Sequence, residues 1–355
     1  MKAAVISFTQ SGNTCNRRIL TCLKLAGYEA EGFYGGRYKD SVSPEQEILR
    51  PAGRKVSEWT KEAFGQYDAL IFVGAAAIAV RSIAPCLKDK LTDPAVLVVD
   101  EKAQYVIPLL SGHVGGANAL AGRLAADLQA LPVITTATDI QGLFAVDVFA
   151  VKNQLILTDR RKAKEISAVI LEHEWQQVYI DRMMTYEGML PKYLRTTDAA
   201  AEADIIVDYH RLSDRMTGLQ LIPEKIIWLG IGCRKGTEAV KIREAVDNFL
   251  KKHAIDNRAI AGLASIDVKA DEQGILEVCQ ERRWPFVTFS AEKLRAMQGN
   301  FTASAFVKSQ VGVDNVCERA ALCAARDDGQ LLIRKEIMPG ITLAAAGTGR
   351  RLRFE

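Results

Sequence analysis

Short apolar, β-branched runs alternate with helical spacings along the first third of the chain. Residues 2 to 8 (Lys-Ala-Ala-Val-Ile-Ser-Phe) read as a buried strand, followed by a Ser-Gly-Asn-Thr turn and a helix carrying Ile19, Leu20, Leu23 and Ala26 on one face. The same pattern predicts strands from Ala69 to Val73, Ala95 to Val99, Tyr105 to Leu110 and Pro132 to Thr138. Helices are expected from Val56 to Phe64, Ile78 to Leu91 and Ala117 to Leu128. This alternation implies an α/β fold: a doubly wound, flavodoxin-like parallel sheet with helices on both faces.

From about Ala150 the texture changes to short strands, such as Leu155 to Leu157 and Ile205 to Val207, among many charges. A strong strand resumes at Ile226 to Cys233 and is followed by a helix with Val240, Ala245, Val246 and Phe249. Strands at Ile260 to Ile266, Phe286 to Phe289, Leu331 to Arg334 and Ile341 to Ala346, with helices near Glu272 to Glu281 and after Asp314, complete a further α/β unit. The expected domains are 1–147, a small middle region 148–222, and 223–355.

Composition narrows the class. With 355 residues and 48% apolar content, the chain is long enough to bury more than one core. No apolar run approaches the ~20 residues that span a bilayer, and the chain opens directly into a strand, so a cytoplasmic protein is expected. A net charge of +3, without basic runs interleaved with aromatics, argues against nucleic acid. Seven scattered cysteines with no CxxC pair read as reduced thiols.

One of only four histidines lies in Leu109-Leu-Ser-Gly-His-Val-Gly-Gly-Ala-Asn118. Ala117, Leu120, Ala121, Leu124, Ala125 and Leu128 form an apolar stripe, so a helix begins just after the glycines. A strand precedes the loop and another is expected beyond the helix. Such a βαβ crossover directs Ser111-Gly112-His113 and Thr136-Ala-Thr138-Asp139 towards one crevice, at the carboxyl edge of the sheet. Glycines there leave helix amides free to meet a negative oxygen, and the helix dipole discourages protonation of His113, which is suited to general-base work. The alternative is a turn histidine among glycines that serve tight packing. His173, His210 and His253 lack glycine loops or evident acidic partners and read as surface residues. No metal-ligand spacing is present.

Two other glycine loops compete. Thr9-Gln-Ser-Gly-Asn-Thr14 looks like the phosphate loop of flavodoxins, but no aromatic near Gly74-Ala-Ala-Ala77 offers to cover an FMN ring. A carboxylate site or an ordinary capped helix start are the other readings. Gly230-Ile-Gly-Cys-Arg-Lys-Gly236 fits neither GxGxxG nor a P-loop. Its Arg234 and Lys235, and Arg350 after Thr348-Gly349, are suited to carboxylate or phosphate contact.

An ordered series of motifs resembles the CbiG family, the cobalt-precorrin-5A hydrolases of the anaerobic route to cobalamin. These are Val80-Arg81-Ser-Ile-Ala-Pro85, Asp93-Pro-Ala-Val96, Val99-Asp100, Leu109 to Asn118, Val133-Ile-Thr-Thr-Ala-Thr-Asp139 and Phe144-Ala-Val-Asp147. Gly230 to Thr237, Ala264 to Lys269, Gly312-Val and Ile341 to Ala344 resemble that family's last domain and stand-alone CobE proteins. Ala77 and Pro108 depart from the family pattern. The resemblance implies a hydrolase that opens the ring A δ-lactone of cobalt-precorrin-5A and releases acetaldehyde, with cobalt carried by the substrate and no separate cofactor or protein metal site. For that chemistry the candidates are His113 as base, Asp139 to orient the imidazole or to take the hydroxyl proton when the alcohol collapses to the aldehyde, Ser111 as a lesser nucleophile candidate, and the N–H groups of Gly115 and Gly116 for the oxyanion. Arg81, Asn118, Thr136, Arg234, Lys235 and Lys269 are the substrate-binding candidates. Besides the substrate, neighbouring cobalamin-pathway enzymes and a second copy of the chain are candidate partners. An FMN electron carrier and a non-catalytic tetrapyrrole carrier are the alternatives.

Overall fold

The computed structural model describes residues 1–36, 49–53, 55–89, 92–113, 115–213, 215–326 and 328–354. The chain divides into two compact units, Met1–Leu143 and Phe144–Glu355. No helix among the described residues is long and apolar enough to cross a membrane.

The first unit runs β1 (Lys2–Ser7), α1 (Gln10–Leu25), β2 (Glu29–Tyr34), β3 (Arg50–Pro51), α2 (Val56–Ala63), β4 (Ala69–Val73), α3 (Ala76–Ile83), β5 (Ala95–Val99), β6 (Tyr105–Leu110), α4 (Ala117–Leu128), β7 (Leu131–Pro132) and α5 (Ala137–Gln141). Its sheet has the order β3-β2-β1-β4-β5-β6-β7. Alternate residues of the central strands enter opposite cores, as period-two geometry requires. Ala3, Val5, Ile71, Val73, Leu97 and Val99 pack with α1 and α4, whereas Ala4, Ile6, Leu70, Phe72, Val96 and Val98 pack with α2 and α3.

The strands from β3 to β5 are parallel, but β6 runs antiparallel to β5. The sheet is thus largely parallel, as expected, with β6 the exception. Only residues 100–104 connect β5 to β6, far fewer than the dozen or so a parallel crossover needs. Asp100 closes that turn by accepting the N–H groups of Lys102, Gln104 and Tyr105 at 2.9, 2.7 and 2.6 Å. The crossover through α4 does join parallel strands, β6 and β7. The end of β6 therefore lies beside the start of β5, with Leu110 opposite Val96. Its loop emerges at the amino edge of the parallel strands, opposite the edge expected from the pattern.

The expected strand from Pro132 to Thr138 stops at Pro132 and gives way to α5. The Val133 N–H still bonds the Val106 carbonyl at 2.9 Å, but the next donor in the ladder would be residue 108, a proline without an N–H. The expected helix to Leu91 ends at Ile83, followed by a 3-10 turn, Ala84–Cys86, containing Pro85. Leu91 lies outside the described residues.

The second unit begins with α6 (Val146–Lys152), β8 (Leu155–Leu157), α7 (Arg160–Leu171), β9 (Gln176–Ile180), β10 (Met184–Tyr186), β11 (Leu194–Thr196), β12 (Ile205–Val207) and β13 (Leu219–Pro223). It continues with β14 (Ile227–Cys233), α8 (Ala239–Lys252), β15 (Ile260–Ile266), α9 (Gln273–Arg282), β16 (Phe286–Phe289), α10 (Ala291–Ala296), α11 (Ala305–Val311), α12 (Cys317–Ala325), β17 (Gly329–Met338), β18 (Ile341–Thr348) and β19 (Arg350–Leu352). One five-stranded sheet is ordered β11-β9-β12-β13-β8, a second β16-β15-β14-β18-β17, and β10 pairs with β19. The helix expected at Asp314 starts at Cys317: Asn315 Oδ1 takes the Glu318 N–H at 2.9 Å, while Asp314 pairs with Arg319 at 3.0 Å.

Candidate active site

The loop after β6 is held by short-range contacts that explain its composition. Ser111 has φ 55°, and its buried hydroxyl donates to the Asp93 carbonyl at 2.8 Å. A Cβ on Gly112 would lie 2.8 Å from Asn118 Oδ1, a Cβ on Gly115 would collide with Ser111, and Gly116 takes φ 78°. The tight-packing role of the glycines is thus real. Val114 lies outside the described residues.

The helix amides are less free than the pattern suggests. Ala117 N–H donates to the Ser111 carbonyl at 3.1 Å, Asn118 N–H to Gly112 at 2.9 Å, and Gly116 N–H to His113 at 3.0 Å. Gly116 is therefore a poor oxyanion donor, because its proton is already committed. The Gly115 N–H makes no hydrogen bond among the described residues. Ser111 is likewise unsuited to nucleophilic attack, since its proton points to a backbone carbonyl rather than to a base.

The crossover brings the second half of the motif onto His113. Its Nε2 lies 2.6 Å from Asp139 Oδ2 and 3.1 Å from Thr138 Oγ1. Asn118, in the first turn of α4, donates through Nδ2 to Asp139 Oδ2 at 2.8 Å and to Thr136 Oγ1 at 3.0 Å. Asp139, from beyond the crossover, therefore meets an imidazole and an amide that both come from its start. A carboxylate on Nε2 makes that nitrogen the protonated one, so the basic atom of the neutral ring is Nδ1. The His113 side chain is 18% exposed and that of Asp139 37%, so the group faces solvent without being bathed in it. Thr138, buried and directly on the imidazole, is a site residue that the sequence reading did not single out. The Thr-Ala-Thr-Asp run was its only signal. A cavity of about 570 Å³ borders the same loop, lined by Asp68, Lys88, Asp93, Pro94 and Gly115 among others.

The basic candidates fare differently. Arg81 lies exposed on α3, and Arg234 and Lys235 lie exposed after β14 in the second unit. Lys269 is already paired, at 2.7 Å, with Glu272, which also accepts the Gly236 N–H at 2.6 Å. Burial opposes ionisation of Glu272, but these two bonds outweigh it and hold its carboxyl below the ordinary range. With its charge compensated within the chain, Lys269 is poorly placed to receive another carboxylate. Arg350 is also consumed: its guanidinium donates to the carbonyls of Asn153, Gln154 and Glu224 at 2.9, 2.6 and 2.8 Å.

The flavodoxin-like loop is closed by a carboxylate. Thr9 Oγ1 accepts the Gly12 N–H at 3.0 Å and donates to Glu101 Oε1 at 2.6 Å, which puts negative charge where a phosphate would have to sit. Two of the other histidines have acidic partners after all. His210 Nδ1 is 2.7 Å from Asp208, and His253 Nε2 is 2.8 Å from Glu336. His173 stacks on Tyr193, with ring centroids 5.1 Å apart. All seven cysteines are free thiols, and burial pushes that of Cys279 up to about 12.

Family models for the "Cobalamin synthesis G N-terminal" and "Cobalamin synthesis G C-terminus" regions match residues 58–139 and 227–346. The chain is 33% identical over 352 residues to the cobalt-precorrin-5A hydrolase of Salmonella typhimurium, covering 96% of both chains. The chain belongs to the CbiG family. The cobalt-precorrin-5A hydrolase of Priestia megaterium is 30% identical over 348 residues, covering 94% of this chain and 91% of that one. Protein CobE from Sinorhizobium is 28% identical over 120 residues, or 34% of this chain and 78% of CobE. The His113 motif and its Asp139 partner thus lie within the CbiG N-terminal match, and Arg234, Lys235 and Lys269 within the C-terminal one.

Proposed function

We propose that this CbiG member hydrolyses cobalt-precorrin-5A, opening the ring A δ-lactone and releasing the two-carbon bridge as acetaldehyde to give cobalt-precorrin-5B. The observation that carries this reading is the His113–Asp139 contact at 2.6 Å, in a chain related over nearly its whole length to named cobalt-precorrin-5A hydrolases.

Asp139, itself held by Asn118, orients the imidazole, and His113 takes a proton from water as that water attacks the lactone carbonyl. The Gly115 N–H donates to the developing oxyanion. Collapse breaks the acyl C–O bond, leaving a carboxylate on the ring and an alcohol on the two-carbon unit. Loss of the alcohol proton then breaks the carbon–carbon bond: acetaldehyde departs, and the electron pair passes to the macrocycle carbon, which takes up a proton. Cobalt enters as part of the substrate. Exposed Arg81, Arg234 and Lys235 are suited to the substrate's carboxylate arms.

The test is an acetaldehyde assay with purified protein and cobalt-precorrin-5A. Turnover by the wild type and its loss in His113→Ala are expected. Undiminished turnover in the variant removes His113 from the reaction. Tight substrate binding with no turnover by the wild type replaces the hydrolase by a tetrapyrrole carrier.

A further inference from the structure

The middle part of the second unit brings together a second constellation, unrelated to the His113 loop. Strands β9 and β12 are adjacent and parallel, with Ile180 opposite Val207. The next residue of each strand is an aspartate, so Asp181 and Asp208 emerge side by side at one sheet edge. His210 follows two residues after Asp208. Donor atoms of Asp181, Asp208 and His210 all lie within 4.8 Å of one another.

Hydrogen bonding leaves this group incomplete. Asp181 Oδ1 accepts the Met183 N–H at 2.9 Å, and Asp208 Oδ1 accepts the His210 N–H at 2.9 Å and faces its ring Nδ1 at 2.7 Å. The Oδ2 atom of each carboxylate has no hydrogen bond among the described residues and keeps some contact with solvent. Yet the two residues are only 5% and 7% exposed. Two carboxylates so close and so buried repel one another, and neither forms an ion pair with a lysine or arginine among the described residues. Arg182 contributes only a more distant positive field. The turn is rigid, because Gln220 Nε2 donates to the carbonyls of both Asp208 and His210. His210, with a side chain 37% exposed, leaves a path from solvent.

We infer that Asp181, Asp208 and His210 form a binding site for a first-row divalent metal ion. Two carboxylates and one imidazole suit zinc or manganese, whereas an all-oxygen shell would be expected for magnesium or calcium. Ligands about 2.1 Å from one ion stand at most about 4.2 Å apart, so a set already within 4.8 Å needs only a small contraction to close on one.

The test uses the full chain stripped with chelator and titrated with Zn²⁺ and, separately, Mn²⁺ by calorimetry, with bound metal counted after gel filtration. A single ion per chain is expected for the wild type, and affinity about tenfold or more weaker in Asp181→Asn and in His210→Ala. Absence of stoichiometric binding overturns the site and leaves His210 as a simple ion-pair partner of Asp208. Binding that persists unchanged in a folded variant also overturns it, because the metal is then held elsewhere. Should Asp181→Asn fail to fold, His210→Ala at its partly exposed position decides the matter alone.

Discussion

The first unit contains two strand–glycine–helix loops of similar grammar that have become different things. At the carboxyl edge of the parallel strands, Thr9 caps α1 with its hydroxyl, and Glu101 closes the loop with a carboxylate. At the opposite edge, α4 is capped by the carbonyls of Ser111 and Gly112 rather than by a side chain. There the carboxylate of Asp139 meets an imidazole instead of a hydroxyl. A strand, a glycine turn and a helix create the place for a site; the charge that the rest of the fold delivers decides what it does.

The largest effect expected from breaking this contrast is His113→Ala, which should lower kcat for acetaldehyde release by about 10²- to 10⁴-fold, the usual worth of a general base. A matching change at His173, which only stacks on Tyr193, should leave the rate alone. Next is Asp139→Asn. It keeps the shape but loses the carboxylate that holds the Nε2 proton, and should cost about a hundredfold in kcat with little change in KM.

Gly115→Ala comes third. Its methyl collides with Ser111, so denaturant titration should show a loss of about 1–3 kcal/mol. Gly122→Ala, in α4 with open space around it, should instead be neutral or stabilising by about 0.5–1 kcal/mol. Ser111→Ala should cost about 1 kcal/mol for one lost hydrogen bond and change the turnover rate only severalfold. A thousandfold fall would reinstate Ser111 as the nucleophile. The smallest effect is at the other loop: Glu101→Gln should strengthen inorganic phosphate binding there by about tenfold, read as a concentration-dependent rise in Tm.

Much of the architecture was legible because apolar periodicity reports burial directly. The cores of β1, β4, β5 and α4 lie where that pattern put them. The direction of β6 was also within reach, since residues 100–104 are too few for a crossover, yet the alternating pattern suggested only a largely parallel sheet without marking the exception. The early end of β7 needed pairing information: Pro108 silences a donor only once it is known to face Val133.

Within the site, the meeting of His113 with Asp139 followed from the crossover, because parallel strands deliver their ends to one edge. The fate of individual polar groups did not follow, since it depends on partners distant in the chain. Asp93 takes the Ser111 proton, Glu101 fills the Thr9 loop, and the carbonyls of Asn153, Gln154 and Glu224 absorb Arg350. The Asp208–His210 contact lies two residues apart and was locally available; its third member, Asp181, arrives only through the pairing of β9 with β12.

The sequence by itself determined where most of the strands and helices form, that glycines surround one histidine, and which family motifs the chain carries. These depend on local sterics and on apolar spacing, which are properties of neighbouring residues. Only the tertiary structure decided which edge of the sheet holds His113, which amides remain free and which cations are already neutralised. Hydrogen bonds and charges act over a few ångströms of space, and the fold sets those distances by joining segments that the chain keeps far apart.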